Sequence, residues 1–323
     1  MPNPIFLLPL RAASSATVDV AGLGECSVDT TVQLTGFPRP GSKMPASSIV
    51  ERPGGQVATA VRALARLGWS ARYAGTVGAD GGGALVVDAL RSDGVNCDAC
   101  RVVPGVATRR AVILVDTAAG TRTVLEFRDP RLNRPAELVP AVIAGARVLL
   151  VDGTDMDAAV RAARLARTEG IRVVVDIDEG VAGPEPLLAE ADIVITSQRF
   201  AEAAGGAAGT AGGARILAVR NPLAAVVCVT LGEAGCLARC GDEEVHSPGF
   251  RVPCVDTTGA GDVFRAGFIA AWLRAPDGSA LGDLLRYANA AAALNCRAVG
   301  AQGGLPTHAE VQRLLDSDAG REG

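Results

Sequence analysis

Aromatic residues are scarce in this 323-residue chain, at 3% of positions. The core must therefore be built from alanine, valine and leucine, and stacking of bases on aromatic rings is excluded as a main mode of binding. Basic residues form no block, and 31 Lys and Arg stand against 35 Asp and Glu for a net charge of −4. Nucleic acid and anionic membranes are poor partners for such a chain. Long apolar runs are missing too, so no transmembrane helix is expected. Histidine occurs only at His246 and His308, so Cys97 and Cys100 find no companions for the roughly four ligands of a zinc site. The opening stretch, MPNPIFLLPLRAASSA, lacks a positive segment ahead of its apolar patch, and prolines interrupt it. It reads as a disordered or loosely packed extension and not as a signal peptide, which points to a cytoplasmic protein. The eight cysteines are scattered, as free buried thiols would be, and form no disulfide framework.

What the chain does have is apolar material, 49% hydrophobic against 20% charged, enough for one large α/β domain or two modest ones. Residues 18–24 read as a buried first strand ending in glycine, followed by polar Glu25 to Asp29 at the strand edge where open α/β sheets bind ligands. Residues 30–52 and 106–128 supply about four short strands and a hairpin, read as a small second sheet. Gly54 and Gly55 precede a helix in which Val57, Ala60, Val61, Leu64 and Leu67 share one face. Apolar runs at 147–151, 171–175, 193–196 and 225–231, interleaved with helices, predict a parallel sheet buried on both faces. Residues 201–214 are Ala- and Gly-rich, a poor helix with a flexible loop. The turn from Thr230 through Gly232 to Gly235 sits at the ligand edge. A last helix spans about 283–296, with Asn289 in an alanine run, facing either a ligand or solvent.

The segment Asp256-Thr257-Thr258-Gly259-Ala260-Gly261-Asp262-Val263-Phe264 carries the most chemistry. Its small residues let the backbone turn sharply just before a helical pattern. The unpaired N–H groups at the start of that helix would make a positive pocket for a phosphate or a developing anion. Asp262 at its mouth is a candidate base for a hydroxyl that attacks phosphorus. The plain alternative is an acidic N-cap and a glycine turn.

With that motif placed, the chain resembles the ribokinase-like (PfkB) family of sugar and nucleoside kinases over residues 18–306. DTTGAGDVF is similar to the family's C-terminal signature, and Gly54-Gly55 before a helix to its N-terminal one. The resemblance implies an α/β fold: a ribokinase-like sandwich with a central, mostly parallel sheet flanked by helices, plus a small β-sheet lid. It divides the chain into an extension (1–17), a kinase domain (18–310, lid strands in about 30–52 and 106–128) and a C-terminal tail (311–323). It makes Asp262 the base and Gly259, Ala260 and Gly261 the anion hole. Ser27, Asp29, Gly54, Gly55 and Thr59 fall on the sugar-binding positions, although Thr59 stands where the family usually has Asn. Ser197, Thr230, Gly232, Gly235 and Asn289 fall on the nucleotide side. Asp256 and Thr258, with the 298–304 loop, match a monovalent-cation site.

The implied cofactors are ATP and Mg2+, with K+ at that cation site. The family's NxxE motif is altered, with Ser197 in place of Asn and Phe200 in place of Glu; Glu202 is the nearest carboxylate. The expected partner is a small-molecule sugar, a fructose-like ketose first, with ribose, a ketodeoxy sugar acid and a nucleoside as alternatives. Arg109, Arg110 and Arg128, on or beside lid strands, either clamp an acidic sugar or are ordinary solvated charges. Exposed lid strands offer edges for a homodimer. Two other classes compete. A nicotinamide oxidoreductase lacks its GxGxxG fingerprint after the first strand, and a non-catalytic sugar-binding protein on a kinase fold is suggested by the altered NxxE region.

Overall fold

Every residue of the strand Ala146–Asp152 is buried, as a strand covered on both faces requires. The computed structural model of the chain describes residues 3–119, 121–133, 139–178, 180–275 and 278–319. In order, its first half holds β1 (Ile5–Phe6), β2 (Val18–Leu23), β3 (Ser27–Leu34), β4 (Ser48–Gly54), α1 (Gln56–Arg66), β5 (Ala71–Tyr73), β6 (Thr76–Gly78), α2 (Gly81–Ser92), β7 (Arg101–Val103), β8 (Arg110–Asp116), β9 (Thr121–Phe127) and α3 (Val139–Ile143). Then follow β10 (Ala146–Asp152), α4 (Met156–Thr168), β11 (Arg172–Ile177), α5 (Glu185–Leu188), β12 (Ile193–Ser197), α6 (Gln198–Gly205), α7 (Gly209–Arg220), β13 (Val226–Thr230), β14 (Cys236–Cys240), β15 (Glu243–Ser247), α8 (Ala260–Arg274), β16 (Ser279–Ala280), α9 (Leu281–Asn295) and α10 (His308–Ala319).

The central sheet has the order β15-β14-β13-β12-β11-β10-β2-β5. It is parallel from β13 to β5, and antiparallel where β14 and β15 fold back at one edge. Side chains alternate across it. Val148 and Leu150 join a core with α1, α8 and α9, while Leu149 and Val151 join a second core with α3 and α4. The result is a helix–sheet–helix sandwich. The four-stranded lid, in the order β4-β3-β8-β9, stands off the C-terminal ends of the central strands. Strands β3 and β8 pair in parallel, and β4 and β9 flank them antiparallel. Residues 71–78 carry two short strands: β5 closes the central sheet, and β6 turns away to pair with β7.

Three expectations are corrected. The N-terminal extension is not loose. Strand β1 pairs with β16, Phe6 is buried against the Phe268 and Trp272 rings (centroids 6.0 and 5.7 Å), and Trp272 Nε1–H donates to the Leu8 carbonyl at 3.1 Å. Its apolar patch finds a docking surface on α8, far away in sequence and invisible to a local pattern. The stretch 311–319 is not a tail but most of α10, anchored by the fully buried Val311; residues 320–323 lie outside the described part. Residues 201–214 form the end of α6, one 3-10 turn and the first half of α7. A Cβ at Gly213 would collide with the Ala201 carbonyl, so small residues serve close helix contact there, not flexibility.

Candidate active site

Three elements deliver the central carboxylates. Strands β10 and β11 carry Asp152 and Asp176 to their C-terminal ends, and α8 starts beside them with Asp262 in its first turn. Gly259 is the N-cap of α8, in the left-handed region at φ 76°, where a side chain would be strained and would strike Ala301. Ala260 N–H donates to Thr257 O and Val263 N–H to Gly259 O. Between them, the N–H groups of Gly261 and Asp262 have no acceptor among the described residues, as the first turn of a helix leaves them. That turn is where the sequence led us to expect an anion pocket, and its free amides fit that expectation.

Asp262 is largely buried, its side chain 15% exposed. Burial pushes its carboxyl well above the usual range; Arg265 opposes this, while Asp176, Glu25 and Asp178 add to it. Asp176 is likewise raised, to about 7, by burial, although Arg265 Nη2 lies 2.5 Å from its Oδ1. Asp152 accepts from the N–H groups of Glu25 (2.8 Å) and Thr154 (2.9 Å) and so ties the loop after β2 to the end of β10.

On the lid side, the Ser27 hydroxyl donates to Asp29 Oδ1 at 2.6 Å. Gly54 pairs with Ser27 across β3 and β4, and a Cβ there would strike the Asp29 carboxylate. Gly55, at φ 92°, starts α1 against the backbone of Cys26. These four residues are brought together. Thr59 is fully buried one turn further on, with its hydroxyl accepting from Gln302 Nε2 at 3.1 Å, so it braces the 298–304 loop. A cavity of about 30 Å³ under the lid is lined by Gly24, Glu25, Cys26, Arg109, Arg128 and Thr154, among others.

On the nucleotide side, Ser197 and Thr230 are register partners at the ends of β12 and β13. Gly232 and Gly235 shape the turn after β13 with φ of 60° and 91°. Ser197 caps α6 and donates to Asp178. Glu202 accepts from Gln198 (2.7 Å) and Thr210 (3.0 Å) instead, so the carboxylate that meets Ser197 is Asp178. Asn289 is neither solvent-exposed nor open. Its Nδ2 donates to Ser247 O and Oγ (both 3.1 Å) and to Pro248 O (3.2 Å), which fixes the loop after β15. Asp256 accepts from Thr258 N–H (2.9 Å), Thr258 hydroxyl (2.7 Å) and Gly300 N–H (2.8 Å), closing the motif loop onto 298–304.

Sequence reasoning put Glu25 at the ligand edge without a role, and missed Asp152, Asp176, Asp178 and Arg265 as members of this site. The available signal was a charged residue at the C-terminal end of an apolar run, or inside one, as in VLLVD and VVVDID. The view of Arg109 as a solvated charge is corrected: it is buried and paired with Glu25 (2.8 Å) and Glu126 (2.9 Å). Arg110 is half-exposed against Glu51 (2.8 Å), and Arg128 donates to the Thr154 carbonyl.

A helix N-terminus with open amides, a buried carboxylate beside it and a small sheet over the strand ends suit phosphoryl transfer to a small molecule. The model of the pfkB family of carbohydrate kinases matches residues 18–308, and the chain belongs to that family. It is an ATP-dependent sugar kinase by that membership. Ribokinase of Bacillus subtilis is 27% identical over 313 residues, covering 92% of this chain and 99% of its own length. Fructokinase-1 of Oryza sativa subsp. japonica is 29% identical over 322 residues, covering 92% and 98%. A ribokinase of Arabidopsis thaliana, solved in complex with ribose and ATP, shares the fold with a TM-score of 0.75 at 24% identity, over 92% of this chain and 98% of that one. No helix among the described residues is long and apolar enough to cross a membrane.

Proposed function

We propose that this kinase transfers the γ-phosphoryl group of ATP to a hydroxyl of an uncharged sugar, a fructose-like ketose before ribose or a nucleoside, with Asp262 as the base. The observation that carries this reading is Asp262 in the first turn of α8, directly beside amides that lack an acceptor. The sugar lies under the lid, where Asp29, oriented by Ser27, Gly54 and Gly55 hold its hydroxyls. Asp262 takes the hydroxyl proton as the oxygen attacks, and the α8 amides stabilise charge on the phosphoryl oxygens. The triphosphate lies toward Ser197, Thr230 and the Gly232–Gly235 turn, with Asn289 holding the adjoining loop in place. Mg2+ bound with the triphosphate would neutralise part of its charge; such an ion would need only one or two carboxylates, which suits a site where carboxylates cluster at strand ends. Arg109 is already engaged by Glu25 and Glu126, which disfavours a sugar acid. Asp256 and Thr258, with the 298–304 loop, would hold K+, checked by comparing turnover in potassium and tetramethylammonium salts.

The test is ATP turnover over a panel of fructose, ribose, a ketodeoxy sugar acid and a nucleoside, for wild type and Asp262→Asn. Wild type should phosphorylate a neutral sugar. Asp262→Asn should lose on the order of 10²- to 10⁴-fold in kcat while still binding the sugar, the range typical of a lost general base. Retained turnover in Asp262→Asn would remove the base assignment. A wild type that binds sugars but phosphorylates none would leave a sugar-binding protein on a kinase fold.

A further inference from the structure

Arg265 lies one turn into α8, buried to 3% exposure. It is the one charge in the otherwise apolar run from Val263 to Leu273. Burying a guanidinium is costly unless a carboxylate receives it. Here Nη2 lies 2.5 Å from Asp176 Oδ1, itself buried at the end of β11. The other nitrogen, Nη1, lies 3.9 Å from Asp262 Oδ1. It also runs under the helix turn, where a Cβ at position 261 would come within 2.6 Å of it. Glycine at 261 thus gives the guanidinium room directly beneath the amides of the anion pocket. Nε has no hydrogen-bond partner among the described residues. A purely structural ion pair would need Asp176 alone. This arginine touches the turn and faces the reacting carboxylate as well.

We infer that Arg265, held by Asp176, is a positioning residue for phosphoryl transfer: it charges the anion pocket from below and keeps the Asp262 carboxylate ionised and aimed at the acceptor hydroxyl. This rests on the kinase reading above. A helix N-terminus supplies roughly half a positive charge, and the transferring group carries more negative charge than that. A guanidinium fixed in a dry site supplies the difference without reorganising during the reaction. The groups facing Asp262 are Arg265 on its own helix, Asp176 at the end of β11, Asp178 just past it, and Glu25 from the loop after β2. Arg265 is the only positive one of these, so its loss leaves the carboxylate without a compensating charge.

The test compares wild type, Arg265→Lys, Arg265→Gln and the double variant Asp176→Asn/Arg265→Gln, which removes both charges and leaves no buried ion unpaired. With the best sugar, Arg265→Gln and the double variant should lose roughly 10²-fold in kcat, the scale for one lost transition-state donor. Their sugar KM should stay within about threefold, as expected of an interaction made mainly in the transition state. The acidic limb of the kcat/KM–pH profile should move to higher pH, because removing a nearby positive charge raises the Asp262 pKa. Arg265→Lys should recover at least about tenfold of the lost kcat, since it restores the charge without the fork. By calorimetry, inorganic tripolyphosphate should bind the double variant about tenfold more weakly than wild type, a difference of one decade in Kd. A double variant that unfolds like wild type yet keeps its kcat and acidic limb overturns the inference. If wild type phosphorylates no sugar, the kinase reading fails, and the tripolyphosphate comparison still decides Arg265, with equal affinity overturning it.

Discussion

Glu25 shows how burial sets the chemistry of single residues here. Its carboxyl is raised from 4.5 to about 8, mainly by burial, even though Arg109 pairs with it and pulls the other way. The native state therefore holds a proton that the unfolded chain releases above pH 4.5. The stability this contributes is present at low pH and is lost as pH rises from about 4.5 to about 8. Thermal unfolding followed across that window should show Tm declining more steeply for wild type than for Glu25→Gln; equal slopes would refute the assignment. Gly54 makes a second residue-scale case. Alanine there would push the Asp29 carboxylate aside, and misplacing a positioning group by about 1 Å can cost on the order of 10²-fold. Gly54→Ala should raise the sugar KM strongly while leaving the ATP KM unchanged in steady-state kinetics. Glycine before a helix was legible in the sequence, but the reason for it, the proximity of Asp29, was not, since strand register decides that contact.

At the scale of elements, α8 does two jobs from one sequence. Its first turn meets the ligand edge, and its body, with Phe264, Phe268 and Trp272 all buried, fills the core. The every-fourth-residue spacing of these aromatics is a local pattern that marks the body. It could not announce β1, whose Phe6 covers the Phe268 and Trp272 rings. Phe6→Ala should destabilise the fold by about 3–5 kcal/mol, the usual cost of emptying a buried phenylalanine site. Denaturant unfolding measures this, and sugar affinity should be spared, because β1 packs on β16 and α8 and not on the lid residues proposed to hold the sugar. A cost within about 0.5 kcal/mol, as for an ordinary surface change, would mean that the segment is only loosely docked.

At the scale of the whole molecule, the lid has two faces. The inner one carries Asp29, Ala111 and Glu126, register neighbours across β3, β8 and β9. The outer one leaves Ile49, Val112, Leu125 and Phe127 exposed, with Val112 and Leu125 directly opposite each other. Such an apolar sheet face is the kind that protein–protein contacts cover. We propose that it pairs with the same face of a second copy. Sedimentation of wild type should give a dimer and of Leu125→Asp a monomer; a wild type that stays monomeric at high concentration would refute the pairing.

The sequence by itself determined the sandwich, the lid and the motif turn. Each rests on local order: apolar runs long enough for strands buried on both faces, a hairpin pattern, small residues at a helix start. Only the tertiary structure decided which charges share the site. Asp176 and Arg265 belong to different elements, and neither has a local pattern that names its partner. Their meeting follows from β11 ending where α8 begins, and a buried charge takes its chemistry from whatever the fold sets beside it.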